Sequence, residues 1–261
     1  MEKSRQFIKT KNRQFIVALY RIDVKGTLTA RYGEIVMTNP PSDAFDEATS
    51  QRIKLLETNQ FWKTVWVSRK RQQENPNFHL PTVKAYLTEY LSSHEGISTI
   101  FVPFCGKSVD MYYLQQAGYH VVGADLSDEA TEDFFAEHGL EFTKTKVGPF
   151  IIKTAKVDKG SITLICGDLL KLTTEHLKNV DLVYDRAGYN SVPLSVRLAY
   201  SNLLSEYLPE NTKILMGFLD IEPKDPKLGP PYYISDEELE AFKKRFDLTV
   251  KKESRSEFFA S

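Results

Sequence analysis

The sequence contains few cysteines, and the two that it has do not suggest a pair. Cys105 and Cys166 lie 61 positions apart, each inside an apolar, strand-like segment. Neither a disulfide framework nor a metal site uses this spacing. We therefore expect a reducing, cytoplasmic environment and no metal ligands.

Long apolar runs and an excess of one charge are also missing. No segment approaches the about 20 apolar residues that a transmembrane helix needs. The 34 basic and 35 acidic residues nearly cancel, so the net charge is −1. This balance gives no electrostatic reason to expect a nucleic-acid or membrane partner. We expect a soluble monomer, long enough at 261 residues for one sizeable domain or two small ones.

Basic residues are concentrated at the start of the chain. Eight lysines and arginines stand among the first 31 residues, against only the two acids Glu2 and Asp23. A targeting peptide lacks acids and is clearly amphipathic, so Glu2 and the weak amphipathicity favour a solvated extension. We assign residues 1–57 to this N-terminal extension and residues 58–261 to a single main domain.

The main domain alternates between strand-like and helix-like segments. Six short runs have the character of strands: 98–104, 120–127, 161–168, 180–188, 213–220 and 247–252. Helical periodicity fills the intervals, and Trp62 and Trp66 lie four residues apart on one helical face. This alternation predicts an α/β fold, with a mostly parallel central sheet and helices on both faces.

Glycine is scarce in the segment FVPFCGKSVDMYYLQQAGYHVVGADLS, residues 101–127. A dinucleotide-binding turn uses three glycines, whereas this turn has only Gly106, beside the bulky Phe104. Asp125 follows Gly106 by 19 positions, close to the about 20 residues at which an acid meets ribose hydroxyls. The pattern favours a ligand with a ribose and no phosphates, such as S-adenosylmethionine.

A simpler interpretation of this segment stays open. Gly106 can serve only to turn a strand into a helix, and Asp125 can be an ordinary acid before a helix, because both features are common. A dehydrogenase is a third option, which the single glycine disfavours.

Four motifs, in order, resemble the thiopurine S-methyltransferase family of class I S-adenosylmethionine-dependent methyltransferases. PFCGK with GYHVVGADLS is similar to the family's PLCGK and GHxVVGxExS. FWKTVWV, VYDRAG and GPPYYIS are similar to its tryptophan-paired, WDRG and GPPFxV motifs. The similarity extends from about Trp62 to about Phe246. It implies a Rossmann-like methyltransferase domain over residues 58–261 that moves a methyl group from S-adenosylmethionine to a small thiol.

The resemblance also implies two groups of site residues. The cofactor-binding group is Trp62, Trp66, Phe104, Gly106, Asp125, Asp168, Leu169 and Arg186. Asp185 and Arg186 form the floor of the active site as its catalytic residues, with Arg186 facing the acceptor, and Tyr232 and Tyr233 line the acceptor pocket. Simpler roles remain open for all of them: core tryptophans, turn aspartates, a salt bridge of Arg186 to an acid, and loop-anchoring tyrosines.

Two neighbours of Gly106 are assigned no chemistry. Lys107 is expected to be a solvated residue at the start of a helix. Cys105 has no histidine nearby in the sequence to activate its thiol, so we interpret it as a packing residue.

The sequence departs from the family pattern in two places. Residues 189–192 read YNSV where the family is apolar, which predicts a more polar acceptor pocket. The chain ends at SRSEFFAS, so the family's C-terminal pair of antiparallel strands is expected to be incomplete. Alternatives that stay open are a methyltransferase for halides, aliphatic thiols or selenium compounds, a cofactor-binding pseudoenzyme, and an incomplete gene product.

Overall fold

A computed structural model describes residues 20–22, 28–30, 59–155, 157–221 and 229–254. Contacts divide the chain into two units, Met1–Leu56 and Glu57–Ser261. In the first unit the described backbone is one antiparallel pair, β1 (Tyr20–Ile22) and β2 (Leu28–Ala30). The rest of the predicted basic extension lies outside the described residues.

The second unit is built on an eight-stranded sheet. Its spatial order is β10 (Asp247–Glu253), β9 (Lys213–Leu219), β8 (Leu182–Arg186), β3 (Thr99–Pro103), β4 (His120–Asp125), β7 (Ser161–Cys166), β6 (Phe150–Ala155) and β5 (Phe142–Val147). All pairs from β10 to β7 are parallel. These strands are the six that the sequence predicts, so the predicted fold class is confirmed.

Helices lie between the strands in the chain. They are α1 (Asn59–Arg71), α2 (Ala85–Ser93), α3 (Val109–Gln116), α4 (Asp128–Glu137), α5 (Thr174–Leu177), α6 (Leu194–Tyr207) and α7 (Asp236–Lys243). Two 3-10 turns, Leu169–Lys171 and Tyr189–Ser191, follow β7 and β8. Among the helices that the structure describes, none is both long and apolar enough to cross a bilayer.

The sheet separates two apolar cores. Along β3, Phe101 joins the core that contains Tyr200 of α6 and Phe242 of α7. Its neighbours Ile100 and Val102 join the other core, which α2, α3 and α4 supply with Leu87, Met111 and Phe134. Because successive strand residues point to opposite faces, helices cover both faces of the sheet, as predicted.

Strands β5 and β6 form a hairpin that the sequence analysis missed. They pair antiparallel, with Val147 opposite Phe150, and β6 continues antiparallel onto β7. The outer strand β5 reads FTKTKV and is mostly exposed. It therefore lacks the apolar run by which the other strands were recognised.

The opposite side of the sheet is formed by β10. This strand runs parallel to β9 along its whole length, from Asp247 opposite Lys213 to Glu253 opposite Leu219. Within the described part of the chain no antiparallel strand lies beside it. Residues 255–261 fall outside that part.

Serine hydroxyls cap the first turns of α4 and α7. The Ser127 hydroxyl accepts from the Ala130 amide, and the Ser235 hydroxyl from the Glu238 amide, each at 3.1 Å. Ser235 and Glu238 have the spacing of a capping box, but the Glu238 side chain does not complete it. Its carboxylate instead pairs with the buried Arg197, with Nε and Oε1 2.8 Å apart.

Candidate active site

The strand ends that the sequence analysis singled out meet at the C-terminal edge of the sheet. The Gly106 amide, after β3, donates to Asp125 Oδ2 at 2.8 Å. The Gly167 amide, after β7, donates to the Asp125 carbonyl at 2.8 Å. Ligands of open parallel sheets bind at this edge. Three distant sequence segments thus form one continuous surface there.

Asp125 is held in a fixed orientation at the centre of this surface. Its Oδ1 accepts from the Ser127 amide at 2.9 Å, while Oδ2 accepts from Gly106. Burial raises the pKa of the carboxyl group, and the hydrogen bonds from the Ser127, Gly106 and Leu126 amides oppose that rise. The two oxygens offer about four acceptor sites in total, so the group can still accept from a ribose hydroxyl.

Two features require a glycine at position 106: its backbone angle and the closeness of the Trp66 indole. Its φ is +50°, and a Cβ there would lie 2.5 Å from Cζ2 of Trp66. In this structure the group that approaches Gly106 closely is the Trp66 indole. Trp62 and Trp66 both contact the ring of Phe78 edge-on, at 5.7 and 5.5 Å between centroids. The three rings form an aromatic wall over the turn.

Phe104 connects this turn to the end of β8. It adopts a left-handed backbone angle, φ +49°, and its ring meets Tyr200 edge-on at 5.2 Å. A Cβ at Gly188 would lie 2.6 Å from Phe104 Cδ2 and 2.8 Å from Asp185 Oδ1. Phe104 therefore packs directly above the segment that carries Asp185.

Asp185 is a fully buried floor residue. Its Oδ1 accepts from the Tyr189 amide at 3.1 Å. Burial raises the pKa of the carboxyl group to about 7, although the hydrogen bond from the Tyr189 amide works against that rise. Near neutral pH this carboxyl group is close to half protonated.

Arg186 is the cation of the site, and it is paired with an acid that the sequence analysis did not select. Its Nε lies 3.4 Å from Oδ2 of Asp110, and its side chain is only 11% exposed. Within the described part of the chain, its Nη1 is buried and has no hydrogen-bond partner. One side of the guanidinium is therefore anchored and the other is available.

Asp168 and Leu169 lie in the turn after β7. Asp168 Oδ1 accepts from the Leu170 amide at 3.1 Å and so caps the 3-10 turn. Leu169 is buried in the same core as Ile165 and Tyr200. The turn is brought beside Asp125 by the pairing of Asp125 with Cys166 at the end of the two strands.

The backbone of Tyr232 and Tyr233 is held by contacts to the 3-10 turn after β8 and to α6. The Tyr232 amide donates to the Asn190 carbonyl at 2.6 Å, and its side chain is buried. The Tyr233 carbonyl accepts from Arg197 Nη2 at 3.1 Å. Asn190, a residue of the YNSV segment, is fully buried and donates to the Leu219 carbonyl.

Lys107 and Cys105 are the two neighbours of Gly106 to which the sequence analysis assigned no chemistry. Lys107 was expected to be solvated, and this is wrong: its side chain is buried and pairs with Glu137. Cys105 is buried, and burial raises the pKa of its thiol well above the usual value. A thiol that resists ionisation is a poor nucleophile.

Sequence reasoning missed several residues around the site. Phe78 and His79 belong to the irregular segment after α1, where their spacing follows no periodic pattern. Asp110 resembles an ordinary acid in the first turn of a helix. His79 is half-buried, and burial, followed in effect by Lys107, lowers the pKa of its imidazole to about 4. The imidazole is neutral at physiological pH.

The groups at this edge fit S-adenosylmethionine. Asp125 and Asp168 can accept from hydroxyl and amino groups, and an aromatic wall stands over the turn. Lys107, the basic residue of the turn, is already neutralised by Glu137, which leaves the turn poorly equipped for a pyrophosphate. Fold and site together define a class I S-adenosylmethionine-dependent methyltransferase.

Comparisons with known proteins identify the family. The family model described as thiopurine S-methyltransferase matches residues 57–259. The thiopurine S-methyltransferase of Shewanella woodyi is 39% identical over 179 residues, which cover 68% of this chain and 78% of that protein. The enzyme of Nitrosospira multiformis is 38% identical over 192 residues, covering 72% and 84% of the two chains. This chain belongs to the thiopurine S-methyltransferase family, which confirms the resemblance.

Solved structures show a more distant likeness. Magnesium protoporphyrin IX methyltransferase from Synechocystis, with S-adenosylhomocysteine bound, aligns with a TM-score of 0.39 and 14% identity. The alignment covers 60% of this chain and 68% of that one.

Proposed function

We propose that this methyltransferase acts on the sulfur of a small thiol, of the aromatic or heterocyclic kind that thiopurines represent. The observation that carries the proposal is Arg186. Its guanidinium is almost buried, anchored through Nε to Asp110 and unpartnered at Nη1 among the described residues. An available guanidinium in a nearly dry site suits an anionic acceptor or the ring acceptor atom next to it.

The reaction needs alignment more than acid–base chemistry. The cofactor supplies, when bound, an electrophilic methyl group on a positively charged sulfur. An acidic thiol is largely ionised near neutral pH and requires no strong general base. Arg186 would orient the thiolate, and Phe104 above Asp185 would keep water from the floor of the site.

We propose the following roles for the cofactor residues. Asp125 accepts hydrogen bonds from the ribose hydroxyls. Asp168 and Leu169 hold the adenine ring, through its exocyclic amine and by apolar contact. Trp62, Trp66, Phe104 and Gly106 enclose the methionine portion, where the indole that lies on Gly106 would present its face to the positively charged sulfur. Tyr232 and Tyr233 support the acceptor side.

We also propose that residues 58–261 form the catalytic domain and residues 1–57 an extension outside it. The family model begins at residue 57, and the contact division falls between Leu56 and Glu57. All the proposed site residues lie in the second unit.

Binding and turnover, measured separately, test this function. Calorimetry with S-adenosylhomocysteine should show binding at one site. A panel of aromatic thiols, aliphatic thiols, halides and selenium compounds with S-adenosylmethionine should give the fastest methylation with the aromatic thiols. Binding without turnover of any thiol would leave a cofactor-binding pseudoenzyme; a halide preferred over all thiols would reassign the acceptor.

Two variants should separate the cofactor half from the acceptor half. Asp125→Ala removes the acceptor for the ribose and should weaken S-adenosylhomocysteine about tenfold to a hundredfold. Arg186→Lys keeps the charge but loses the planar fork, so thiol methylation should fall about a hundredfold. Asp181→Asn is the control, because Asp181 binds the Ser98 and Thr99 amides at the opposite end of the sheet. Equal loss of activity in all three would contradict the assignment.

A further inference from the structure

We propose that Asp110 is a positioning residue, which aims Arg186 at the acceptor and ties it to the cofactor turn. This inference rests on the function proposed above, since it concerns the same arginine. Asp110 lies in the first turn of α3 and is fully buried. Its contacts come from three separate parts of the chain.

The Asp110 carboxylate is the centre of a buried polar cluster. Its Oδ2 accepts from the hydroxyl groups of Tyr184 and Ser108, each at 3.1 Å, and lies 3.4 Å from Arg186 Nε. Its Oδ1 faces the Lys84 amide at 3.4 Å. A buried carboxylate is tolerated only when it is paired and hydrogen-bonded in this way.

The contact at Nε decides where the rest of the guanidinium points. The group is planar and rigid, so an ion pair at Nε restricts the directions of both terminal nitrogens. Nη1 is buried and lacks a partner in the described part of the chain. Asp110 therefore occupies the Nε side of the guanidinium and leaves Nη1 as the nitrogen that can donate to a ligand.

The same carboxylate also contacts the cofactor turn. Ser108 ends the turn that contains Gly106 and caps α3, since its hydroxyl accepts from the Asp110 amide at 3.3 Å. Ser108 and Arg186 thus share one oxygen of Asp110. A shift of the cofactor turn is transmitted to the acceptor arginine through a single group.

Asp110→Asn is the direct test, because it keeps the shape and removes the charge. With 6-mercaptopurine as the acceptor probe, kcat/KM should fall about a hundredfold. The affinity for S-adenosylhomocysteine should fall much less than turnover, because Ser108 keeps an amide oxygen as its acceptor and the ribose and adenine contacts do not involve Asp110. An affinity loss that matches the loss of turnover would overturn the proposal.

A double-mutant cycle separates positioning from general stability. If Asp110 acts through Arg186, Asp110→Asn should cause little further loss in an Arg186→Lys background, because residues that act as a unit are not additive. Asp181→Asn, a carboxylate outside the cluster, should remain additive in the same background. Additive losses for Asp110→Asn would refute the proposal.

A milder variant covers the case in which Asp110→Asn does not fold. Tyr184→Phe removes one of the donors to Oδ2 and leaves the carboxylate and Arg186 in place. It should lower kcat/KM for 6-mercaptopurine by about threefold to tenfold, as expected for one hydrogen bond, with S-adenosylhomocysteine affinity unchanged. Full activity in Tyr184→Phe would count against the proposal that the polar cluster around Asp110 positions Arg186.

A measurement without an acceptor keeps this inference distinct from the proposed function. In ¹⁵N NMR spectra, the Arg186 Nε–H signal can be assigned by its loss in Arg186→Lys. It should be protected from solvent exchange in the wild type and in Asp181→Asn, and should exchange fastest in Asp110→Asn. Tyr184→Phe should be intermediate, because the carboxylate stays in place but loses one of its donors. Absence of thiol turnover in the wild type would refute the function alone, whereas unchanged protection would refute the role of Asp110.

Discussion

At the scale of single residues, Gly106 shows how closely the turn fits its surroundings. The position needs a left-handed backbone angle, and the Trp66 indole occupies the space that a side chain would fill. Both requirements exclude other residues, for different reasons. The two requirements can be separated by experiment, because Gly139 also needs a left-handed backbone angle but has open space around it.

Gly106→Ala should cost about 2 to 4 kcal/mol of unfolding free energy, from the backbone angle and the overlap with Trp66 together. Gly139→Ala is the matched control: its φ is +62° and a Cβ there would meet nothing within 4 Å, so about 1 kcal/mol is expected. Urea denaturation measures both. Trp66→Leu should recover part of the loss in Gly106→Ala and none in Gly139→Ala. Equal costs at the two glycines would show that the indole contact is unimportant.

The buried carboxyl of Asp185 predicts a pH effect on stability. Its pKa is about 7 in the folded protein, against an ordinary value of 3.8, so the folded state holds the proton more tightly. The contribution of Asp185 to stability therefore falls as the pH rises from about 4 to about 7. Between pH 5 and pH 8, the wild-type melting temperature should decline more than that of Asp185→Asn. Parallel curves for the two proteins would contradict this prediction.

The sequence located the C-terminal edge of the sheet but not the contacts that organise it. Gly106 and Asp125 were found because their spacing along one strand–turn–helix unit is local. Asp110 was not found, since its partners Tyr184 and Arg186 are more than seventy positions away and only the fold brings them together. Lys107 was misjudged for the same reason: its partner Glu137 is set by the packing of two helices.

At the scale of secondary-structure elements, the hairpin of β5 and β6 does more than extend the sheet. Lys153 of β6 is fully buried, and its Nζ donates to the Asp128 carbonyl, Asp128 Oδ1 and Thr131 Oγ1 at 3.0, 2.6 and 2.6 Å. These acceptors form the first turn of α4. The hairpin therefore fixes the start of the helix that follows Asp125.

Lys153→Met should reduce the unfolding free energy by about 1 to 3 kcal/mol, because it leaves buried acceptors unsatisfied. It should also weaken S-adenosylhomocysteine binding, since the loop of Asp125 leads into the disturbed turn. Lys144→Met is the control: Lys144 pairs with Asp128 and Glu132 but is solvent-exposed, so about 0 to 1 kcal/mol is expected. Thermal melts with and without ligand provide both quantities. Normal S-adenosylhomocysteine affinity in Lys153→Met would show that the hairpin does not influence the cofactor site.

Strand prediction succeeded for the six parallel strands and failed for the hairpin. Five of the parallel strands carry apolar runs because both of their faces are covered, whereas the outermost, β10, reads DLTVKKE and is only partly buried. The hairpin strand β5 instead reads FTKTKV, and two lysines on an outer strand discourage pairing with another chain. The available signal was the β-branched residues Thr, Val and Ile on both sides of the turn residues Gly148 and Pro149.

At the scale of the whole molecule, the division of the chain into two units predicts that the N-terminal unit can be removed without loss of cofactor binding. A chain of residues 58–261 should keep one cooperative unfolding transition and the S-adenosylhomocysteine affinity of the full chain, because the proposed site lies in that unit. At a ligand concentration one hundred times Kd, both chains should gain about 2.7 kcal/mol. Differential scanning calorimetry measures this gain. Loss of binding in the shorter chain would place part of the site in residues 1–57.

The pairing of β3 with β8 also has a kinetic consequence. It joins Ile100 to Leu182, two residues 82 positions apart in the sequence, whereas β5 pairs with β6 and β6 with β7, each the next strand in the chain. Long-range pairings carry the larger loop-closure cost and form late. The seam between β3 and β8, meaning the line along which they pair, should therefore form after the hairpin of β5 and β6 during refolding. Pulsed hydrogen exchange would show protection of β6 before that of β8. Asp125 and Arg186 lie on opposite sides of the seam, so catalytic competence should be acquired in the last stage of refolding.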